Sequence, residues 1–535
     1  MNKILYYGDN LPVLKTHFQN ESVDLIYLDP PFNSKANYNI LFEDKAGKDS
    51  AAQVGAFEDT WHWTEETERI YQEVVETAPA DVVDMISAFR KFIKKNDMLA
   101  YLVMMTIRLV ELRRILKSTG SIYLHCDPTA SHYLKIVMDT IFGVKNFRNE
   151  ITWIRTAAHS DAKNYANVSD IILYYVKTNN YTFNSIYKPY DEKYLKKYYK
   201  HKDENGRVFL DRDLTAGGLS GGGYNYEWKG VKKIWRCPIE TMEKYEREGL
   251  LYYTSNNTPR LKQFLDEMEG VPVNNVWEDI PPINSQAAER LGYPTQKPRA
   301  LLERIIKSSA NKDSIILDPF CGCGTTISAC ESLNKNEGYN LTWLGIDITH
   351  LAINLIKGRL YGEYNINPKK DYQLVGEPKD LDGAVALSEQ DRYQFQWWAL
   401  SLVNARPFGD KKKGSDKGVD GLIYFIEYPE NKTEKAIVQV KSGKVKSGDI
   451  RDLKGVVERE EAAFGIFITL QEPSRDMTEE AASSGFWKNR PEFPKIQILT
   501  IENILNGSKV RIPHQVYHSK EAHKVEKKDT TGKLF

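Results

Sequence analysis

Asp29, Pro30, Pro31 and Phe32 close the strand-like run Ser22–Leu28 (SVDLIYL), and together they could act on an aromatic amine. The exocyclic amino group of adenine or cytosine is a poor nucleophile because its lone pair is delocalised into the ring. A carboxylate (Asp29) and a backbone carbonyl (Pro30) at one turn can accept hydrogen bonds from both amino hydrogens. That pushes nitrogen towards a tetrahedral form able to attack a methyl group. The two prolines end ladder hydrogen bonding and fix the turn, and Phe32 offers an aromatic face to a base taken out of a duplex. As a bare tetrapeptide the signal is weak, since turns containing DPP are common.

A second set runs from Asp318 to Thr326 (DPFCGCGTT), at the carboxyl end of the strand-like Ser314–Leu317. Gly322 and Gly324 let the backbone approach a ligand, and the helix that opens at about Thr325 presents free N–H groups to an anionic group. Asp347 closes the next strand, where a carboxylate can accept hydrogen bonds from ribose hydroxyls. Position 327 is Ile, so the third glycine of a dinucleotide fingerprint is missing and a pyrophosphate is not the obvious ligand. Cys321, Cys323 and Cys330 lack a CxxC pair or a nearby histidine, and packing is the better reading than zinc.

A third set is Asp420, Gln439 and Lys441. Phosphodiester cleavage needs a divalent cation and a Lys to orient or polarise water. Asp420 can hold Mg²⁺, Gln439 can offer a side-chain oxygen, and Lys441, two positions on, shares its face. A structural salt bridge between Asp420 and Lys441 explains the spacing equally well.

These residues need a sheet to hold them. Between Met98 and Lys117 the apolar residues Leu102, Met105, Leu109, Leu112 and Leu116 step by three and four, one face of a long helix. Gly120 is expected to stop it before the strand Ser121–His125. With Asp170–Val176 (DIILYYV) and Thr342–Ile346 (TWLGI) as further strands, the pattern is an α/β domain with a largely parallel sheet. From 179 to 290 the sequence is polar, aromatic and without clear period. A polar connection covers 361–387, a smaller α/β block 388–515, and 516–535 reads as a disordered tail.

At 535 residues the chain exceeds one ordinary domain, and about two to four are expected. Hydrophobic residues are 41% and charged residues 27%, which removes disordered and fibrous classes. Lys+Arg and Asp+Glu are both 73, so any basic surface must be local. No apolar run approaches the roughly 18 residues of a membrane span, and five cysteines fit a reducing cytosol.

Taken in order, GDN (8–10), DPPF (29–32), GSIYLHCD (120–127), NEITW (149–153), TQKP (295–298) and DPFCGCGTT (318–326) resemble the amino-methyltransferases of DNA that act on adenine N6 or cytosine N4. The order is the permuted one, with the tetrad ahead of the methyl-donor loop, and the resemblance covers about residues 1–360. It implies a Rossmann-like S-adenosylmethionine-dependent sheet with a target-recognition insert at 179–290. It implies that Asp318, Phe320, Gly322, Gly324 and Thr325 surround S-adenosylmethionine, that Lys297 lies beside its methionine end, that Asp347 holds the ribose and that Asp9 approaches its adenine. Asp29, Pro30, Pro31 and Phe32 would grip the target base. Cytosine-N4 members of this group more often begin the tetrad with Ser, so Asp29 favours adenine N6. Phe32 stands where Tyr is commoner and keeps the stacking face. Within the insert, Lys233, Arg236, Tyr224, Tyr226, Trp228 and Trp235 suit phosphate contacts and base stacking.

FQWWALSL (395–402), GVDG (418–421), VQVK (438–441) and GIFIT (465–469) resemble, in that order, the Mrr-type restriction-endonuclease fold over about 388–510. Gln439 replaces the Glu of the wider pattern and removes one negative charge from the metal site. The resulting expectation is a cytosolic adenine-N6 methyltransferase acting on double-stranded DNA, fused to a Mg²⁺-dependent nuclease. The alternative is a methyltransferase whose last domain only binds DNA. A chain ending near Gly383 is expected to fold and methylate alone.

Overall fold

Strand Val23–Leu28 is buried along nearly its whole length, as a strand inside a parallel sheet covered by helices on both faces must be. The computed structural model describes residues 2–31, 37–43 and 49–58 (backbone only), 62–156, 165–217, 222–284, 287, 289–291, 293, 295–408, 418–427 and 432–513. Phe32 and the segment 516–535 lie outside the described residues.

Among the described residues, nine strands form the largest sheet, in the order Val276–Trp277, Phe147–Ile154, Ser169–Val176, Leu116–Cys126, Val23–Leu28, Ile315–Asp318, Thr342–Asp347, Ile4–Tyr7 and Gln373–Val375. Every pairing is parallel except the two made by Ser169–Val176. The α/β architecture with a largely parallel sheet is therefore as expected. DIILYYV is its antiparallel member, held to its neighbour by Tyr174 stacked on Tyr123 with centroids 4.4 Å apart.

Local readings differ at three points. The long helix runs Asp97–Ile115, with the Asn96 side chain capping it by accepting the Leu99 N–H. Gly120 does not stop it, because the strand Leu116–Cys126 has already begun. Gly120 serves a close approach instead, since a Cβ there would lie 2.9 Å from the Asp24 carbonyl oxygen. Within 361–387, Gln373–Val375 adds an edge strand beside Ile4–Tyr7 and helix Leu381–Gln390 begins.

The aperiodic region folds as a separate compact unit, Ser185–Asn274. It holds a four-stranded sheet (Leu251–Tyr253, Pro259–Phe264, Val208–Asp213, His201–Lys202) and the hairpin Tyr224–Trp228 with Val231–Trp235. Trp228 and Trp235 fill its small core with Leu214, Met242 and Leu251. These two indoles are thus structural and do not present base-stacking faces, whereas Tyr224 is exposed.

The C-terminal block is a five-stranded sheet, in the order Arg406–Pro407, Gly421–Glu427, Lys432–Lys441, Phe464–Thr469 and Ile496–Thr500. Helices Arg392–Leu402, Ser447–Arg459 and Arg475–Ala482 bury apolar faces against the block's cores. No described helix is long and apolar enough to cross a membrane.

Candidate functional site

Parallel strands share one direction, so their carboxyl ends meet along one edge, which is where open α/β sheets take ligands. Asp9 follows Ile4–Tyr7, Asp29 follows Val23–Leu28, and Asp318 and Asp347 end their own strands. Pairing of Asp318 with Gly345, and of Tyr7 with Asp347, brings these ends level. All four acids line a cleft of about 250 Å³, together with Pro30, Pro31, Lys297, Phe320, Gly322 and Thr325. Of the first two residue sets, Gly324 is not among the lining residues and Phe32 is outside the described residues.

The Lys297 ammonium donates to Asp29 Oδ2 at 2.7 Å, with the two side chains only 10% and 15% exposed. Asp29 Oδ1 is buried and has no hydrogen-bond partner. Leaving a buried acceptor bare costs about 1–3 kcal/mol, so a donor group placed against it gains correspondingly. The resemblance implies that Lys297 lies beside the methionine end of the donor; it lines the cleft, with its ammonium on Asp29.

Asp318 accepts the Thr326 hydroxyl at 2.5 Å and the Phe320 N–H at 3.1 Å. Burial, with the negative charges of Asp29 and Asp347, pushes its carboxyl up to about 7. Asp347 accepts the Gly322 N–H on Oδ2 at 2.9 Å and both the N–H and hydroxyl of Thr349 on Oδ1. Burial pushes it up to about 6, against the pull of those donors. One carboxylate thus ties the glycine loop to the start of helix His350–Tyr364; Oδ1 is taken up by its two bonds to Thr349, and Oδ2 keeps a second lone pair for a ligand hydroxyl. Gly324 has φ +75°, and a Cβ there would stand 2.7 Å from Ile356 Cγ1, so the loop lies directly on that helix.

Asp9 caps helix Asn10–His17 by accepting the Leu11 N–H at 3.0 Å. Arg108, which sequence reasoning missed, donates to Asp9 at 2.7 Å and to Asn10 Oδ1 at 2.5 Å, and Asn10 in turn donates to the Pro319 carbonyl at 2.8 Å. Tyr27 also lines the cleft, with its hydroxyl 2.9 Å from His125 Nδ1. The other ring nitrogen of His125 faces Asp170, and Arg155 closes the series at 2.8 Å. His125 belongs to the GSIYLHCD piece, but nothing local in sequence links it to Tyr27.

In the C-terminal block, Asp420 Oδ2 accepts the Val440 N–H at 2.7 Å and Oδ1 accepts Gln396 Nε2 at 3.0 Å. Gln439 Nε2 donates to the Gly418 carbonyl at 2.5 Å, which fixes the plane of its carboxamide. Lys441 is paired with Asp449, whose second oxygen accepts the Lys446 N–H at 2.8 Å. Gln396 and Asp449 were not singled out from sequence. Among the described residues no three His, Cys, Asp or Glu side chains cluster as a metal site. A cation here would draw on Asp420 and Gln439 and keep several waters, which is usual for Mg²⁺.

Comparison with known proteins follows the same division of the chain. A DNA methylase family model matches residues 23–358, and a restriction endonuclease model matches 387–504. The type II methyltransferase M.EcaI of Enterobacter cloacae is 30% identical over 301 residues, 55% of this chain and 65% of that protein. The Mod subunit of the type III restriction-modification enzyme StyLTI of Salmonella typhimurium is 30% identical over 357 residues, 63% of this chain and 51% of that subunit. The chain therefore spans less than two thirds of the length of either relative. The solved M1.HpyAVI–SAM complex is 16% identical and matches 67% of this chain and 99% of its own, with a TM-score of 0.33.

Proposed function

Because this chain belongs to the DNA methylase family, we propose that it transfers the methyl group of S-adenosylmethionine to adenine N6 in double-stranded DNA, as the modifying part of a cytosolic restriction-modification system. The observation that carries the reading is Asp29 Oδ1, a buried carboxylate oxygen without a partner in the wall of the cleft. An amino hydrogen of the target base supplies the donor that oxygen lacks, and the Pro30 carbonyl is the natural second acceptor. Lys297 holds the other Asp29 oxygen, which fixes the direction of the carboxylate.

The cleft suits a nucleoside sulfonium. Asp347 Oδ2 offers an acceptor for a ribose hydroxyl, the loop at Gly322 and Gly324 admits a close backbone approach, and Asp318 and Asp347, with no cation paired to them among the described residues, favour a positive sulfur. When bound, S-adenosylmethionine supplies an activated methyl group. Asp29 and Pro30 localise the amine lone pair, and Phe32 is assigned the stacking face for the extruded base. Residues 1–360 are assigned to this activity and 179–290 to reading the DNA. In 388–515, Asp420 and Gln439 would hold Mg²⁺ and Lys441 would orient water, with cleavage of DNA as the outcome.

The test is to incubate the protein with duplex DNA and methyl-labelled donor, digest, and identify the labelled nucleoside. N6-methyladenine supports the reading, and N4-methylcytosine overturns the base assignment. No label in DNA despite tight donor binding overturns the substrate.

A further inference from the structure

Helix Arg392–Leu402 belongs by sequence to the C-terminal block, yet it touches the first residue of helix His350–Tyr364, next to Thr349 in the cleft wall. Gln394 Oε1 accepts the backbone N–H of His350 at 3.1 Å. His350 opens helix His350–Tyr364, and the first N–H groups of a helix have no partner within it. Thr349 caps the same helix by accepting the Ala352 N–H at 3.2 Å, so Gln394 satisfies a donor that the local cap leaves over.

That helix start is part of the cleft. Thr349 and Asp347 line it, Asp347 binds Thr349, and the glycine loop rests on Ile356 one helical face away. The packing beneath is continuous: Cys323 and Leu351 share one apolar cluster with Leu387, Phe395 and Trp398. The His350 ring, wholly buried, stacks on Tyr7 with centroids 3.6 Å apart.

Resting on the reading of the cleft as the S-adenosylmethionine site, we propose that Gln394 is a positioning residue for donor binding. By capping helix His350–Tyr364 from the nuclease-like block, it sets where Thr349, Asp347 and the glycine loop stand. The donor site is therefore completed by a part of the chain outside the region matched to the methylase family. Gln394 touches no reacting atom, so its effect falls on donor affinity and not on the chemical step.

The experiment is calorimetric titration of the full chain with S-adenosylmethionine, beside donor KM and kcat. Gln394→Leu keeps the bulk and removes the acceptor, and it should weaken donor binding by about five-fold, the equivalent of one net hydrogen bond. Donor KM should rise in parallel while kcat at saturating donor is unchanged. Gln394→Glu retains an acceptor of the same reach at a helix N-terminus, where negative charge is favoured, and should restore affinity. Ser401→Ala removes a side-chain bond at the far end of the same helix and should leave affinity as it was. Unchanged affinity in Gln394→Leu, no rescue by Glu, or an equal loss in Ser401→Ala overturns the proposal. Failure of the unaltered chain to bind the donor at all overturns the reading of the cleft, and this proposal with it.

Discussion

The Lys297 ammonium meets Asp29 Oδ2 at 2.7 Å across 268 residues of sequence, and the second oxygen of the same carboxylate has no partner. One half of Asp29 is thereby fixed by the protein, and the other half is a buried acceptor left unfilled in a residue that lines the cleft.

On the proposed reading, in which the carboxylate serves the target amine, Asp29→Ala should abolish methyl transfer and leave donor affinity nearly intact. Donor titration and product analysis on the same preparation check this, and parallel loss of both would sink the role.

Lys297→Met strands a buried carboxylate. Breaking a buried pair from one side costs about 3–5 kcal/mol, so the variant should melt well below the parent. Lys297→Met combined with Asp29→Asn should recover much of that loss in a thermal scan while staying inactive.

Asp318 and Asp347 hold their protons more tightly in the folded chain, pushed by burial up to about 7 and about 6 from an ordinary 3.8. Between roughly pH 4 and 7 the native state therefore binds more protons than the unfolded one, and the ligand-free protein loses stability as pH rises through that window. A cationic donor favours the ionised carboxylates, so its binding should release protons below about pH 7 and tighten as pH rises. Calorimetry in buffers of different ionisation enthalpy reads the proton count. Proton uptake on binding would contradict the assignment.

Asp420→Ala and Lys441→Ala should methylate normally and fail to cut DNA with Mg²⁺. Asp449→Ala should impair cutting as well, because Lys441 loses its buried partner. If the unaltered chain cuts neither methylated nor unmethylated substrate at any metal concentration, the block is a DNA-binding accessory.

A chain ending at Gly383 should be less soluble and bind the donor poorly, contrary to the modular expectation from sequence. The strand Gln373–Val375 survives such a cut, but Tyr293, Cys323 and Leu351 lose the apolar partners Leu387, Phe395 and Trp398. Light scattering and donor titration of the truncated chain decide it.

The strand-and-turn motifs were legible because each is local. DPP after SVDLIYL and DPFCGCGTT after SIIL need only a few neighbouring residues to specify a strand end. Contacts between distant segments left no such mark. Arg108 reaches Asp9 from 99 residues away and Gln394 reaches His350 from 44, and neither spacing has a period that could announce it. The unit Ser185–Asn274 escaped because its strands are two to six residues long, too short for alternation to rise above its polar composition. Gly120 misled because glycine ends helices and also permits tight strand packing, and only the second use applied.

The gathering of Asp29, Asp318 and Asp347 at one sheet edge also bears on turnover. A sulfonium donor carries a positive charge that its spent thioether has lost, so the same acids that welcome the reactant hold the by-product less firmly. On the proposed reading the cleft is inclined to eject what it has used and to refill, and product inhibition should ease as Asp318 and Asp347 ionise.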